Sequence, residues 1–277
     1  MKKNGVKWWI FAGVTAGCIV AGTCALWGVK AAEGRYRPEN QDMIVIAHRA
    51  GGASAPENTV AALEQAIADR AEIAEVDIRQ LKDGTLIVMH DSNFARTAGV
   101  DRDVWDTTGP EAAAMETSGR YYGRYRGAAI ATLDEMLACA RDRIKLMIEV
   151  KCTGQERDMV MSLIELLHVH DMDLQCIIGS MNQEILRQVK EIDPSLQTVY
   201  IAHFLEEEDY LLDYADSYSI EAANMTGEMV ERIHAQGKPV YGWTANTRRT
   251  MKLIADYGAD GIVTDDVPMA QSFLKIF

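Results

Sequence analysis

Two histidines, four carboxylates, an arginine and a lysine stand at or just past the ends of short apolar runs. They fall in His48-Arg49, Glu75-Val76-Asp77, His90-Asp91 and Glu149-Val150-Lys151. Glu75 and Asp77 are two apart, so on a strand they face the same side. Three carboxylates gathered at one rim repel each other unless a cation sits between them. Oxygen-only ligation by Glu75, Asp77 and Glu149 points to Mg²⁺ or Ca²⁺ rather than a soft-ligand metal. His48 and His90 fit a general acid and general base near neutral pH. Arg49 and Lys151 would neutralise phosphate oxygens, Arg49 with two donors at once. This is the inventory that cleavage of a phosphate ester needs.

Other candidates have plainer explanations. Glu57 lies in Pro56-Glu57-Asn58-Thr59, where Asn58 or Thr59 caps a helix and Glu57 fixes the loop. Trp243 is either core or an apolar wall for a leaving alcohol. Asp265 and Asp266 follow the last strand in an open role. His168, His170, His203 and His234 read as structural. Cys139, Cys152 and Cys176 lack metal-ligand spacing and read as buried reduced thiols.

The positioning elements follow from periodicity. Short β-branched runs alternate with amphipathic stretches. Strands are expected at 43–47, 72–77, 145–150, 175–179, 197–202, 217–221, 239–243 and 261–264. Helices are expected at 59–69, 133–140, 156–168, 182–191, 206–214, 226–235 and 248–256, with a short one from Pro268. The run 85–90 follows the turn Lys82-Asp83-Gly84 without a helix, which signals a hairpin back toward Asp77. Setting it aside leaves eight strand–helix units, the count of a (β/α)8 TIM barrel. An open doubly wound sheet would expect a GxGxxG loop after its first strand, and none is present. Residues 92–131 break the pattern and read as a small insertion over the barrel mouth.

The chain has 277 residues, 48% hydrophobic and 25% charged, enough for one sizeable domain at 42–277. A formal net charge of −13 argues against a nucleic-acid partner. Residues 8–29 form an uncharged, mostly apolar run after Lys2, Lys3 and Lys7. At about 1.5 Å per residue it spans a bilayer core of roughly 30 Å. We therefore expect one N-terminal transmembrane helix within 1–30, a linker at 31–41, and a single-pass cell-membrane protein whose domain lies outside. A cleaved signal ending near Ala31 is the rival reading, with secretion as its consequence.

Taken in order, Ala47-His48-Arg49-Ala50, Pro56-Glu57-Asn58-Thr59, Glu75-Val76-Asp77, Lys82-Asp83-Gly84, His90-Asp91, Ile148-Glu149-Val150-Lys151, Trp243-Thr244-Ala245-Asn246 and Thr264-Asp265 resemble the glycerophosphodiester phosphodiesterase family. The resemblance implies a (β/α)8 barrel with a small insertion. It also implies metal-dependent hydrolysis of glycerophosphodiesters to glycerol phosphate and an alcohol. Glu75, Asp77 and Glu149 would be metal ligands, His48 and His90 the acid–base pair, and Arg49 a phosphate contact. One departure stands out: the family usually has Gly where this chain has Ala50. Two rival functions are a phospholipase acting on intact lipid at the membrane surface and a tethered phosphodiester-binding protein without turnover.

Overall fold

The computed structural model describes residues 43–276 except 118–122 and 126. The expected transmembrane run and linker lie outside the described residues. Among the described residues, no helix is long and apolar enough to cross a membrane.

Nine strands among the described residues form one sheet: β1 (Ile44–Ala47), β2 (Ile73–Gln80), β3 (Leu86–Val88), β4 (Lys145–Val150), β5 (Cys176–Ser180), β6 (Gln197–Ala202), β7 (Ser217–Glu221), β8 (Val240–Trp243) and β9 (Gly261–Thr264). All but β3 run parallel to their neighbours, and β1 pairs with both β2 and β9, so the sheet closes. The helices are α1 (Val60–Ala68), α2 (Ala95–Ala98), α3 (Gly109–Ala113), α4 (Leu133–Ala140), α5 (Met159–Val169), α6 (Gln183–Ile192), α7 (Gly227–His234), α8 (Arg248–Asp256) and α9 (Val267–Leu274). The architecture is a (β/α)8 barrel, as the sequence pattern predicts.

Two apolar layers hold it. Outer strand faces pack on helix stripes such as Ile185, Leu186 and Val189 of α6. Each such side chain contributes roughly 1.5–3 kcal/mol on burial. Inner faces meet in a smaller cluster of Ile46, Ile73, Met147, Val199, Ile201, Tyr241 and Val263. Gly179 of β5 leaves room there, since a Cβ would lie 2.9 Å from Ile201 Cδ1 and 3.0 Å from Val199 Cγ1. Side-chain caps start α1, α4, α6, α7, α8 and α9. Thr59, not Asn58, caps α1 by accepting the Ala62 N–H at 3.1 Å.

Three expectations need correction. First, β2 runs on past Asp77 to Gln80, because Ile78, Arg79 and Gln80 pair antiparallel with Val88, Ile87 and Leu86. Second, the helix expected at 206–214 is a single 3₁₀ turn, Glu208–Leu211. Buried Tyr210 and Leu212 flank exposed Leu211 there, which is no helical stripe. The Asp209 carbonyl accepts the Tyr218 hydroxyl at 2.7 Å, where a longer helix would take the Asp213 N–H. Third, of Cys139, Cys152 and Cys176 the last alone is a buried thiol, while Cys152 is exposed and Cys139 half-buried. The insertion has a core of its own, including Phe94, Val104, Ala112 and Ile130 packed on Ile87 and Met89.

After β1 the chain turns through three left-handed residues: Arg49 (φ 51°), Ala50 (φ 59°) and Gly51 (φ 92°). A side-chain-bearing residue there costs about 1–2 kcal/mol. The turn aims the Arg49 N–H at Glu75 Oε2, 2.8 Å away. Ala50 is fully buried within it. We expect Ala50→Gly to keep activity and to change stability by less than about 1 kcal/mol, since relieved strain offsets lost packing and chain entropy. Ala50→Val should cost about 2 kcal/mol or more, because a β-branched side chain is excluded at this φ. Urea denaturation measures both. A Val variant as stable as the wild type would contradict the left-handed turn.

Candidate active site

Strand alternation decides which side chains reach the mouth. Two residues beyond Ile46, Ile73, Met147, Ile201, Tyr241 and Val263 come His48, Glu75, Glu149, His203, Trp243 and Asp265. One further step along β2 and β4 gives Asp77 and Lys151. The barrel interior therefore ends in a polar layer at the C-terminal strand ends.

Glu75, Asp77 and Glu149 are buried, with 4%, 1% and 8% exposure, and they offer ligand atoms within 4.8 Å of one another. Asp77 faces Glu149 across the β2–β4 register. Lys151 Nζ bridges them, 3.2 Å from Asp77 Oδ1 and 2.8 Å from Glu149 Oε1. Asn58 donates to Asp77 Oδ2 at 2.8 Å. Glu75 Oε2 accepts the Arg49 N–H, but Glu75 Oε1 is buried without a hydrogen-bond partner. Burial, and then the charge of Asp77, pushes the Glu75 carboxyl up to about 8. Burial followed by Asp77 also raises Glu149. For Asp77 burial acts upward too, yet Lys151, His90 and the Asn58 bond outweigh it and its pKa falls. A buried orphan oxygen beside two further carboxylates, with only oxygen donors, fits a hard divalent cation.

The two histidines have matched supports. His48 Nδ1 lies 2.6 Å from Asp265 Oδ1, and Asn246 Nδ2 donates to Asp265 Oδ2 at 2.5 Å. His90 Nδ1 lies 2.8 Å from Asp91 Oδ1, and Arg79 Nε donates to the His90 carbonyl at 2.8 Å. Each carboxylate holds Nδ1 and leaves Nε2 for chemistry. The His48 pKa is raised: burial opposes the charge, but the Asp265 bond and Glu75 overcome it. That of His90 is lowered by burial against the pull of Asp77 and Asp91.

His48, Arg49, Glu75, His90, Glu149, Lys151 and Trp243 all line one cavity of about 380 Å³. Asp77 sits behind Lys151 and does not line it. Trp243 is a wall of this cavity, its indole N–H donating to the Ser219 carbonyl at 3.1 Å. Met147, Met181, Ile201 and Val263 add apolar lining to the cavity. Glu57 does not line the cavity; it accepts from Arg49 NH1 at 2.9 Å. His203, which the sequence reading took as structural, also lines the cavity. It packs on Trp243 with ring centres 5.1 Å apart and holds Glu221 at 2.9 Å. The signal for it was present in the step from inward-facing Ile201. Asp265, left open by sequence, is the partner of His48. His168, His170 and His234 pair with aspartates away from this cavity.

A closed (β/α)8 barrel with acids, histidines and cations at one strand-end cavity defines a class of barrel hydrolases acting on anionic esters. The Glycerophosphoryl diester phosphodiesterase family matches residues 48–269, and the chain belongs to that family of enzymes. The glycerophosphodiester phosphodiesterase of Caldanaerobacter subterraneus subsp. tengcongensis is 30% identical over 232 residues, 80% of this chain and 94% of that protein. A glycerophosphodiester phosphodiesterase of Bacillus subtilis is 28% identical over 245 residues, 80% of this chain and 83% of the relative. Among solved structures, an Oleispira antarctica phosphodiesterase in complex with the product sn-glycerol-3-phosphate superimposes with TM-score 0.78 at 26% identity, covering 84% of this chain and 97% of that one.

The acidic cluster predicts a definite pH dependence. The folded-state pKa of Glu75 lies above its ordinary value of 4.5, so the native state holds this proton more tightly than the unfolded chain. Metal-free protein should therefore lose stability as pH rises from about 4.5 to about 8. A divalent cation should reverse the loss and, at pH 7, release protons on binding. Thermal melts across this range, in chelator and in Mg²⁺ or Ca²⁺, check it. A metal-free melting temperature that climbs steadily over the window would contradict it.

Proposed function

We propose that the chain hydrolyses glycerophosphodiesters to glycerol phosphate and an alcohol. The observation that carries this reading is the buried triad of Glu75, Asp77 and Glu149, flanked by His48, His90, Arg49 and Lys151 around one cavity. Glu75, Asp77 and Glu149 would hold a divalent cation, Mg²⁺ or Ca²⁺, which supplies positive charge to the phosphoryl oxygens when bound. Arg49 and Lys151 bind the phosphate and balance its charge. One of His48 and His90 takes the proton of the nucleophile, either water directly or a neighbouring substrate hydroxyl, whose cyclic phosphate a water then opens. The other delivers a proton to the departing alcohol. Asp91 and Asp265 hold the two rings for those transfers. The apolar lining at Trp243, Met181 and Ile201 would pack against an apolar part of the substrate.

Turnover of water-soluble glycerophosphodiesters against intact phospholipids, with and without chelator, tests the reading. We expect hydrolysis of the soluble esters, lost in chelator and restored by Mg²⁺ or Ca²⁺. Glu75→Gln should lose activity and cation binding together. His90→Ala should lose about 10²–10⁴-fold in kcat while still binding cation. Faster cleavage of intact lipid would favour a phospholipase, and cation-dependent ester binding without turnover a tethered binder. Undiminished hydrolysis by Glu75→Gln in excess chelator would sink the three-carboxylate site.

The same proposal has residues 8–29 hold the domain at the cell membrane, outside the cytoplasm. The full-length protein should then fractionate with membranes and need detergent for release. A mature N-terminus near Ala32 would mean cleavage and secretion instead.

A further inference from the structure

Arg96, on α2 of the insertion, does not line the cavity, yet it joins two of the groups that do. Its Nε donates to Asp91 Oδ2 at 2.6 Å. Its NH1 and NH2 donate to Glu57 Oε2 and Oε1 at 2.9 and 2.7 Å. Glu57 Oε1 also accepts from Arg49 NH1, and Asp91 Oδ1 meets His90 Nδ1. The result is an unbroken chain, Arg49–Glu57–Arg96–Asp91–His90. It draws on three separate segments: the turn after β1, the end of the β3 hairpin, and the insertion.

We propose that Arg96 is a positioning residue that sets Arg49 and His90 together. This rests on the reading of the cavity as a phosphodiesterase site. Both of its carboxylate partners have a second bond to a cavity residue, so each side chain is fixed from behind by Arg96 and in front by its partner. Only a guanidinium can serve both. Its fork meets Glu57 with two parallel bonds and still has Nε for Asp91, a geometry that an ammonium cannot reproduce. Without Arg96, Glu57 and Asp91 face each other's charge unbridged. Their hold on Arg49 and His90 then loosens, and small displacements of reacting groups cost large factors in rate. The insertion is on this account part of the catalytic apparatus, although none of its described residues lines the cavity.

The test compares wild type, Arg96→Ala and Arg96→Lys by two readouts on the full chain. The first is steady-state hydrolysis of a soluble glycerophosphodiester. We expect kcat to fall at least tenfold in Arg96→Ala, with KM rising less than about threefold, and Arg96→Lys to recover only part of the loss. The second is long-range ¹H–¹⁵N NMR of the histidine side chains, which needs no turnover. Wild-type His90 should show a protonated Nδ1 in a fixed tautomer, and Arg96→Ala should show exchange between tautomers. Unchanged kcat with an unchanged His90 ring spectrum would overturn the proposal, as would full recovery by Arg96→Lys. A wild type without hydrolysis sinks the functional reading instead, and the ring spectra then decide the role of Arg96 alone. Arg96→Gln, which keeps bulk and hydrogen-bonding capacity, guards against a folding defect and should follow Arg96→Ala in both readouts.

Discussion

Three carboxylates buried at one rim are the constraint on which the rest of the structure depends. Two like charges about 4 Å apart repel by ~4 kcal/mol even at an effective dielectric constant of about 20. The barrel imposes that closeness, because Glu75 and Asp77 share the inner face of β2 and Asp77 stands in register with Glu149 on β4. The chain answers it only in part. Lys151, the next inward residue after Glu149, bridges two of the three acids. The Arg49 backbone takes one oxygen of the third, and the other has no partner. Such an unresolved cluster is costly as structure and makes sense as a cation site.

Around that cluster the same device occurs twice. A histidine reaches the cavity from a strand end or hairpin end, and a carboxylate from an adjacent position holds its Nδ1. The Asp265 partner directly follows β9, which the barrel brings beside β1. The Asp91 partner is the next residue in the chain. Closure of the barrel is therefore a chemical requirement as well as an architectural one, because without β1–β9 pairing His48 has no support. The left-handed turn at Arg49 and Ala50 belongs to the same arrangement, since it turns the Arg49 N–H toward Glu75.

Much of this was legible in the sequence because it is local. The two-residue spacing of Glu75 and Asp77 fixes a shared face whatever the fold. The Asp83-Gly84 turn predicted the return of His90 toward Asp77, and the Met89 N–H does bond to the Asp77 carbonyl at 2.8 Å. What escaped was either long-range or governed by side-chain competition. Asp265 lies 217 residues from His48, so no spacing announces the pair. His203 looked like any isolated histidine until the inward face of β6 was known. The segment at 206–214 carries enough apolar residues for a helix, but the Tyr218 hydroxyl takes the Asp209 carbonyl and the short link to β7 leaves one 3₁₀ turn. Ala50 was visible as a departure, and its φ of 59° is the structural reason that glycine suits the position.

The most direct measurement is a crystal structure of the domain soaked in Mn²⁺, with anomalous scattering used to locate the ion. The account predicts one strong peak among the carboxylates of Glu75, Asp77 and Glu149, with oxygens at about 2.0–2.6 Å. It also predicts that Lys151 Nζ withdraws from at least one of its two acids. A Mn²⁺-saturated crystal with no peak at this position, or with Lys151 still bridging Asp77 and Glu149 and the ion bound elsewhere, would contradict it.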